Sequence, residues 1–598
     1  MQPILKINLS TQTFEDYEIP AEWQRDYLGA ASLAARILYD SLTAELDPLS
    51  ADAPLLILTG PLTGTFGPAT GRFVVTGKSP ATRLWAESNV GGFWGVELRK
   101  CGYDGIWVTG KSDSPLYLSL NGSKPELRAA DHLWGQDTYE IQKSIKAESG
   151  LKSTKVFGIG IAGENQIPFA GIFCDHGRAA GRTGLGAVMG AKNLKAIAVQ
   201  GRGEIPLAKP DEYKKLRMAA NRVLKDDALT SVMSDLGSAG AAEYLDYLGE
   251  MPKKYFSAGT LEGSEKVSGS SVAETILVGK KACHGCVIAC GRVVDLGDGE
   301  KRKGPEYETL VGFGPNLGLT DALFATRMGE LCDRYGMDVI SASGVLGLAY
   351  SLFEQGIVST EDTGGFSLNW GNAEAAETLL HQMVRREGFG ALLAEGTLAL
   401  ARHFDAKTQA VQVNGLELAY HDPRGASGMA LVYATSPRGG CHNQSDYFLA
   451  DIGQVDDSLG LEYFDRHAGA EKAANVARHQ DWRTVGNALV LCHFANVPPE
   501  TVLDLVNAAC GLDWDLDKLM RSGERGWNLK RKINFNLGLL GANDRLPEPL
   551  LRALPDGGAE GYVIPFDEML SAYYTARGWG EDGVPSHEKL EGLGLGEL

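Results

Sequence analysis

Long apolar runs are the first thing this sequence lacks. No stretch of its 598 residues reaches the ~18 uninterrupted apolar positions of a membrane helix, so no membrane span is expected. The opening, MQPILKINLSTQTFEDYEIP, has no basic segment followed by an apolar one, so no secretory leader is expected and the chain reads as cytoplasmic. Positive charge is also short. Lysine and arginine total 57 against 76 aspartates and glutamates, a net charge of −19, and nucleic acid as a partner is excluded because its phosphates need a basic surface. Cysteine is sparse, nine in all, odd in number and clustered, which fits a reducing compartment and a metal site better than a disulfide framework. No G-x-G-x-x-G follows a strand-like run, so reduction of a nicotinamide on this chain is not expected.

Glycine is abundant instead, 75 residues against a usual ~7%, and much of it sits where backbone would lie close to a ligand. The length exceeds a single core and implies two to four domains. Residues 1–208 carry short β-branched runs bounded by Gly, Pro or Asp, such as PLLILTG, GRFVVTGKSP and LKAIAVQG. From about 209 the apolar spacing turns helical, as in DALFATRMGELCDRYGMDVISASGVLGLAYSLFEQG. The reading is an α+β chain: a β-rich N-terminal domain of two sheets (1–208) and two mainly helical domains (209–418 and 419–598). The last forty residues, rich in Gly and Glu, read as a loosely packed tail. VTGKS occurs at 75–79 and 108–112, a hint of two related sheet halves. GIWVTGKS (105–112) formally matches a phosphate loop, but strand-like residues fill and follow it, so a sheet edge is expected there.

Cys283, Cys286 and Cys290 follow a C-x2-C-x3-C pattern in KACHGCVIACGR. Zinc sites usually pair two C-x2-C clusters. A tight trio with one distant partner suits a [4Fe–4S] cluster better, leaving zinc or unligated thiols as alternatives. The distant partner could be Cys332, Cys441, Cys492 or Cys510, or Cys101 or Cys174 in the β-rich part. Arg178 and Arg182 stand among small residues ahead of Gly184; Arg72 and Lys78 keep similar company; Asn89 precedes Gly91 and Gly92; DPRG and SPRG, the latter with Arg438, repeat the theme. An arginine beside a glycine is usually a solvated turn, but several together suggest a polyanionic cofactor cradled by guanidinium groups and backbone N–H groups.

Taken in order, GPLTGTFGPATGRF, SNVGGFWGVELRKCGYDGI, GRTGLGAVMGAKNLKAIAV, CHGCVIACGR, GPEYET, CDRYGMDVIS, DPRG and ATSPRGGCH resemble the aldehyde ferredoxin oxidoreductase family, tungsten enzymes with a bis-pterin cofactor. The blocks span about residues 55–495. The resemblance implies a two-sheet domain that seats the pterins, with two helical domains over it. It implies Cys283, Cys286, Cys290 and Cys492 as ligands of a [4Fe–4S] cluster. DRYGMD, with Asp333 and Asp338, matches the first pterin-contacting segment. The second falls at NALVLC, where Asn487 stands in place of Asp, Val490 in place of Gly, and Leu491 precedes Cys492. The pterin phosphates, bridged by Mg2+, would lie near Arg72, Asn89, Gly91, Gly92 and Arg182, with Asn89 on the ion's side.

Glu308 and His442 match the family's catalytic pair. Turning an aldehyde into an acid requires an oxygen nucleophile, a polarised carbonyl and a two-electron sink. Glu308 would take a proton from water, and His442 would donate to the carbonyl oxygen as charge develops. Without the resemblance the plainer readings are a surface glutamate and a core histidine. The implied function is aldehyde oxidation with electrons passed to ferredoxin or an iron–sulfur partner subunit, in a homo- or hetero-oligomer. The basic run Lys301, Arg302 and Lys303 is a candidate docking patch for an acidic partner. Two alternatives remain: an aromatic acyl-CoA reductase of the same family, kept open by Cys441, and a non-catalytic iron–sulfur or zinc scaffold.

Overall fold

The structure, a computed structural model, describes residues 1–598. The first two hundred residues build two six-stranded sheets. The first contains β1 (Ile4–Asn8), β2 (Thr13–Tyr17), β3 (Leu55–Thr59), β4 (Arg72–Lys78), β5 (Trp85–Gly91) and β6 (Gly105–Thr109), in the order β2-β1-β6-β3-β4-β5. The second contains β7 (Leu116–Asn121), β8 (Lys124–Ala129), β9 (Lys155–Gly158), β10 (Ile172–Cys174), β11 (Arg178–Ala180) and β12 (Leu194–Gln200), in the order β11-β10-β9-β12-β7-β8. Each sheet is antiparallel except for one parallel pair, β1 with β6 and β7 with β12.

Side-chain alternation explains the layers. Along β3, Leu55 and Ile57 enter a core shared with Leu118, Phe157, Ile197 and Val199 of the second sheet. The intervening Leu56 and Leu58 enter another core, with Leu33 of the helix Ala30–Leu38 and Leu529 and Ile533 of the helix Leu516–Asn536. A strand buried on both faces reads as an unbroken apolar run, as LLILT does. The first sheet is therefore packed between its sister sheet and helices from the two ends of the chain.

Residues 307–435 form a helical body around the nearly all-buried helix Val339–Glu354. A three-stranded sheet, β13 (Leu277–Lys281), β14 (Gly291–Val294) and β15 (Arg302–Lys303), interrupts the helices and holds the cysteine loop. No helix is long and apolar enough to cross a membrane.

Three expectations are corrected. Gly105–Thr109 is β6, which pairs with β1 and β3 in the interior of its sheet and not at an edge. The two VTGKS copies lie on β4 and β6 of the same sheet, so they do not relate the two sheets. The last forty residues are not a loose tail: Tyr573 and Tyr574 of the helix Phe566–Arg577 are buried, and Leu593 and Leu595 fill the core behind β1 and β3.

Candidate active site

The β13–β14 connection carries Cys283, Cys286 and Cys290, and Cys492 lies just past the helix Ala473–Leu489. Cys286, Cys290, Leu491 and Cys492 pack against one apolar shell that includes Ile288 and Leu489. Burial pushes the Cys286 thiol up to about 11, and the neighbouring Cys492 and Cys283 add to it. Cys290 is raised by burial, then by Glu306 and Cys492. Arg178 faces the group; burial opposes its charge, but Cys283 and Cys290 outweigh burial and raise it. Three thiols against one apolar shell, with Cys283 on the same loop, are a fitting donor set for a [4Fe–4S] cluster. Cys510, next to the same shell, has the amino terminus, Arg99 and Asp104 as its charged neighbours. Glycine makes the close approach to β5 feasible: a Cβ on Gly91 would lie 2.8 Å from Cys283 Sγ, and Gly92, at φ 129°, accepts the His284 N–H at 3.1 Å.

Glu308 sits in the first turn of the helix Tyr307–Phe313. Its Oε2 accepts the Tyr420 N–H at 2.9 Å. Its Oε1 has no hydrogen-bond partner and lies 3.7 Å from His442 Nε2 and 3.6 Å from His421 Nε2. His442 Nδ1 is buried and likewise unpartnered. Burial works against the His442 cation, but Glu308 and the Cys441 sulfur outweigh it and hold its pKa above the ordinary value. Burial alone would raise the Cys441 thiol; Arg438, His442 and Arg182 instead bring it down to about 5. Arg438 donates to that sulfur at 2.6 Å. Sequence reasoning missed His421. Its only signal was its place directly before DPRG.

The remaining residues divide by what they touch. Arg72 donates to Asn89 Oδ1 at 2.6 Å beside the cysteine loop. Asn487 is 4% exposed with its Nδ2 unpartnered, and Arg438 Nε is also orphaned. Unsatisfied buried donors at this place fit the edge of a polar heterocycle or its phosphates. Arg182 donates to Asp338, to the Gly440 carbonyl and to the Glu417 carbonyl, which fixes its guanidinium and leaves two of its five N–H groups free. Asp338 caps the helix Val339–Glu354, accepting from Ile340 N and Ser341 N. Asp333 pairs with Lys303 Nζ at 3.0 Å. Gly184 serves packing, since a Cβ there would lie 1.9 Å from the Pro168 carbonyl oxygen.

Comparison with known proteins identifies the family. A family model described as aldehyde ferredoxin oxidoreductase, N-terminal domain, matches residues 4–201, and one described as domains 2 & 3 matches residues 215–595. The chain belongs to the aldehyde ferredoxin oxidoreductase family. The tungsten-containing aldehyde ferredoxin oxidoreductase of Pyrococcus furiosus is 37% identical over 602 residues, covering 99% of this chain and 98% of that protein. The aliphatic sulfonate oxidoreductase, WOR-like subunit, of the same organism is 29% identical over 99% of this chain and 97% of its own length. Among solved structures, the active site complex BamBC of benzoyl coenzyme A reductase with 1,5 dienoyl-CoA superposes with a TM-score of 0.85 at 26% identity, covering all of this chain and 97% of that one.

Two features of this family member were not foreseen. A cleft of about 630 Å³ opens beside β14, lined by several bases, among them Lys143, Lys146, Lys281 and Arg334. Of the expected cofactor residues only Arg178 lines it, and the catalytic pair lies elsewhere. The basic run is largely engaged within the chain: Arg302 pairs with Asp298, Glu300 and Glu330, and Lys303 with Asp333, leaving Lys301 as its unpaired, exposed member.

Proposed function

We propose that this chain oxidises aldehydes to carboxylic acids and passes the electrons to a ferredoxin or an iron–sulfur partner subunit, as an aldehyde:ferredoxin oxidoreductase of the EC 1.2.7 type. The carrying observation is the half-buried Glu308–His442 pair, 3.7 Å apart, each with an unpartnered buried polar atom. A tungsten bis-pterin bound between the two-sheet domain (1–208) and the helical domains (209–418 and 419–598) would supply the two-electron sink. Asn487 Nδ2 and Arg438 Nε would hold pterin edges, Arg72 and Asn89 would face its phosphates and Mg2+, and the four cysteines would ligate the [4Fe–4S] cluster.

Glu308, fixed by the Tyr420 N–H, takes the proton of the attacking water at its free Oε1. His442, favoured in its protonated form by Glu308 and Cys441, donates to the carbonyl oxygen as negative charge builds on it. The surrounding burial excludes bulk water and strengthens both interactions.

Aromatic acyl-CoA reduction is the second reading, favoured by the structural likeness to benzoyl coenzyme A reductase. Cys441 is held toward its thiolate, against burial, by Arg438, His442 and Arg182, a form that can ligate a metal, so it keeps this reading open. Protein purified without oxygen should hold about one tungsten and about four irons per chain. Glu308→Gln should keep both and lose ~10²–10⁴-fold in aldehyde oxidation. Zinc at one equivalent without tungsten would sink the proposal. A Glu308→Gln protein with undiminished aldehyde oxidation would remove the base, and turnover of an aromatic acyl-CoA would move the assignment to the second reading.

A further inference from the structure

His421 is held more rigidly than its place in a loop suggests. Its ring lies between Phe448 (centroids 4.1 Å apart, planes at 15°) and Tyr307 (4.9 Å, 28°). Its carbonyl accepts the Tyr433 hydroxyl at 2.9 Å. The neighbouring Asp422 N–H donates to the Glu250 carbonyl at 2.7 Å, which fixes the loop on the segment that carries Glu250. With the ring plane set, the two nitrogens point opposite ways. Nε2 lies 3.6 Å from Glu308 Oε1, and Nδ1 lies 3.4 Å from Glu250 Oε2. Glu250 is fully buried and its Oε1 has no partner. Distances of this length are usual for catalytic contacts before substrate is bound.

We infer that Glu250 and His421 are positioning residues for Glu308: neutral Glu250 donates to His421 Nδ1, so the ring proton resides on Nε2 and is presented to the Glu308 carboxylate. The inference rests on reading Glu308 as the base. A neutral imidazole has one donor and one acceptor nitrogen, and the bond at one nitrogen decides the role of the other. If Glu250 ionises, Nδ1–H turns to it, the Nε2 lone pair faces the Glu308 carboxylate, and the base loses its support. The site is therefore competent while Glu250 carries its proton.

The groups around Glu250 agree with this. Burial pushes Glu250 up to about 8; Arg466 favours its ionised form and Asp422 opposes it. Asp451, Tyr307 and Tyr433 also sense its charge. Burial, countered in part by Glu308, brings His421 down to about 4, so the ring is neutral at pH 7.

The test is the pH profile of kcat/KM for aldehyde in the holoenzyme, together with pH-difference infrared spectra. The wild type should lose activity above about pH 8 as Glu250 ionises. Glu250→Gln, whose amide can only mimic the neutral acid, should remove the Glu250 part of that limb and leave only the loss set by the His442 cation. A protonated-carboxyl C=O band absent from Glu250→Gln should be present in the wild type at pH 7 and vanish along the same limb. His421→Phe keeps the ring stack but removes both nitrogens, and kcat should fall ~10–100-fold, the worth of one hydrogen bond to a charged group, with KM little changed. An alkaline limb identical in wild type and Glu250→Gln, or no Glu250-dependent band at pH 7, overturns the inference. If Glu308→Gln is inactive in that case, the base reading survives and the positioning chain alone falls. A fully active Glu308→Gln removes both.

Discussion

A buried glutamate that stays neutral to about pH 8, against an ordinary 4.5, makes the native chain bind a proton that the unfolded chain has already released. Stability therefore falls as pH rises between those values. The buried histidines act on the acid side. Burial brings His421 down to about 4 and His479 and His493 down to about 3, so the native chain binds fewer protons than the unfolded one below 6.5. Stability is lost there as pH falls. Urea midpoints measured across pH should thus decline on both sides of mildly acidic pH. Glu250→Gln should flatten the decline between about pH 5 and 8 by a few kcal/mol, because one proton held over that range is worth ~1.4 kcal/mol per pH unit. An unchanged slope would mean that Glu250 is ionised in the fold. At this scale Glu308 and His442 could be singled out from the motifs that surround them. His421 could not, because nothing in one histidine beside an aspartate says which carboxylates it will lie between.

Glycine-bounded elements carry much of the site's shape. Gly184 stands before the helix Leu185–Ala191 at φ 75°, and a Cβ would lie 1.9 Å from the Pro168 carbonyl oxygen. Gly184→Ala combines a left-handed strain of ~1–2 kcal/mol with a backbone clash, so a lowered melting temperature or insoluble protein is expected, and unchanged thermal unfolding would contradict it. Val490 shows the opposite choice. A β-branched residue at φ 50° ends the helix Ala473–Leu489, and its side chain is fully buried behind the first sheet. The strained turn places Leu491 and Cys492 against the cysteine loop's apolar shell. The strands of the two large sheets were legible because apolar runs between Gly and Pro are a strong local signal. β13, β14 and β15 were not, since short strands carrying Lys, Arg and Gly look like loop until their partners are in place.

The two ends of the chain meet on one face of the first sheet. Leu593 and Leu595 pack with Ile4, Leu33 and Leu58, and Trp579 contributes to the large helical core. Removing residues 578–598 uncovers both cores. Three buried apolar side chains at ~1.5–3 kcal/mol each predict a melting temperature lower by ~4–7 °C in a chain of this length, read by calorimetry. A truncated protein that melts with the wild type would show that this segment adds no stability. A glycine-rich ending gave no periodicity from which its packing could be read. Its burial depends on the sheet formed by the first hundred residues.

Local chemistry was set by the sequence alone: which residues can ligate iron, which runs become strands, where the glycines let backbone approach, and that no segment spans a membrane as a helix. Those properties depend on residue type and on spacing over a few positions. Tertiary structure decided what comes together across long separations. It set Cys492 beside a loop some two hundred residues earlier, and it tied Arg182 to Asp338 and to the Gly440 and Glu417 carbonyls. It also placed His421 between Glu250 and Glu308. The physical reason is that burial and charge act through space: a side chain's protonation and hydrogen-bond role follow from neighbours that only the folded chain supplies.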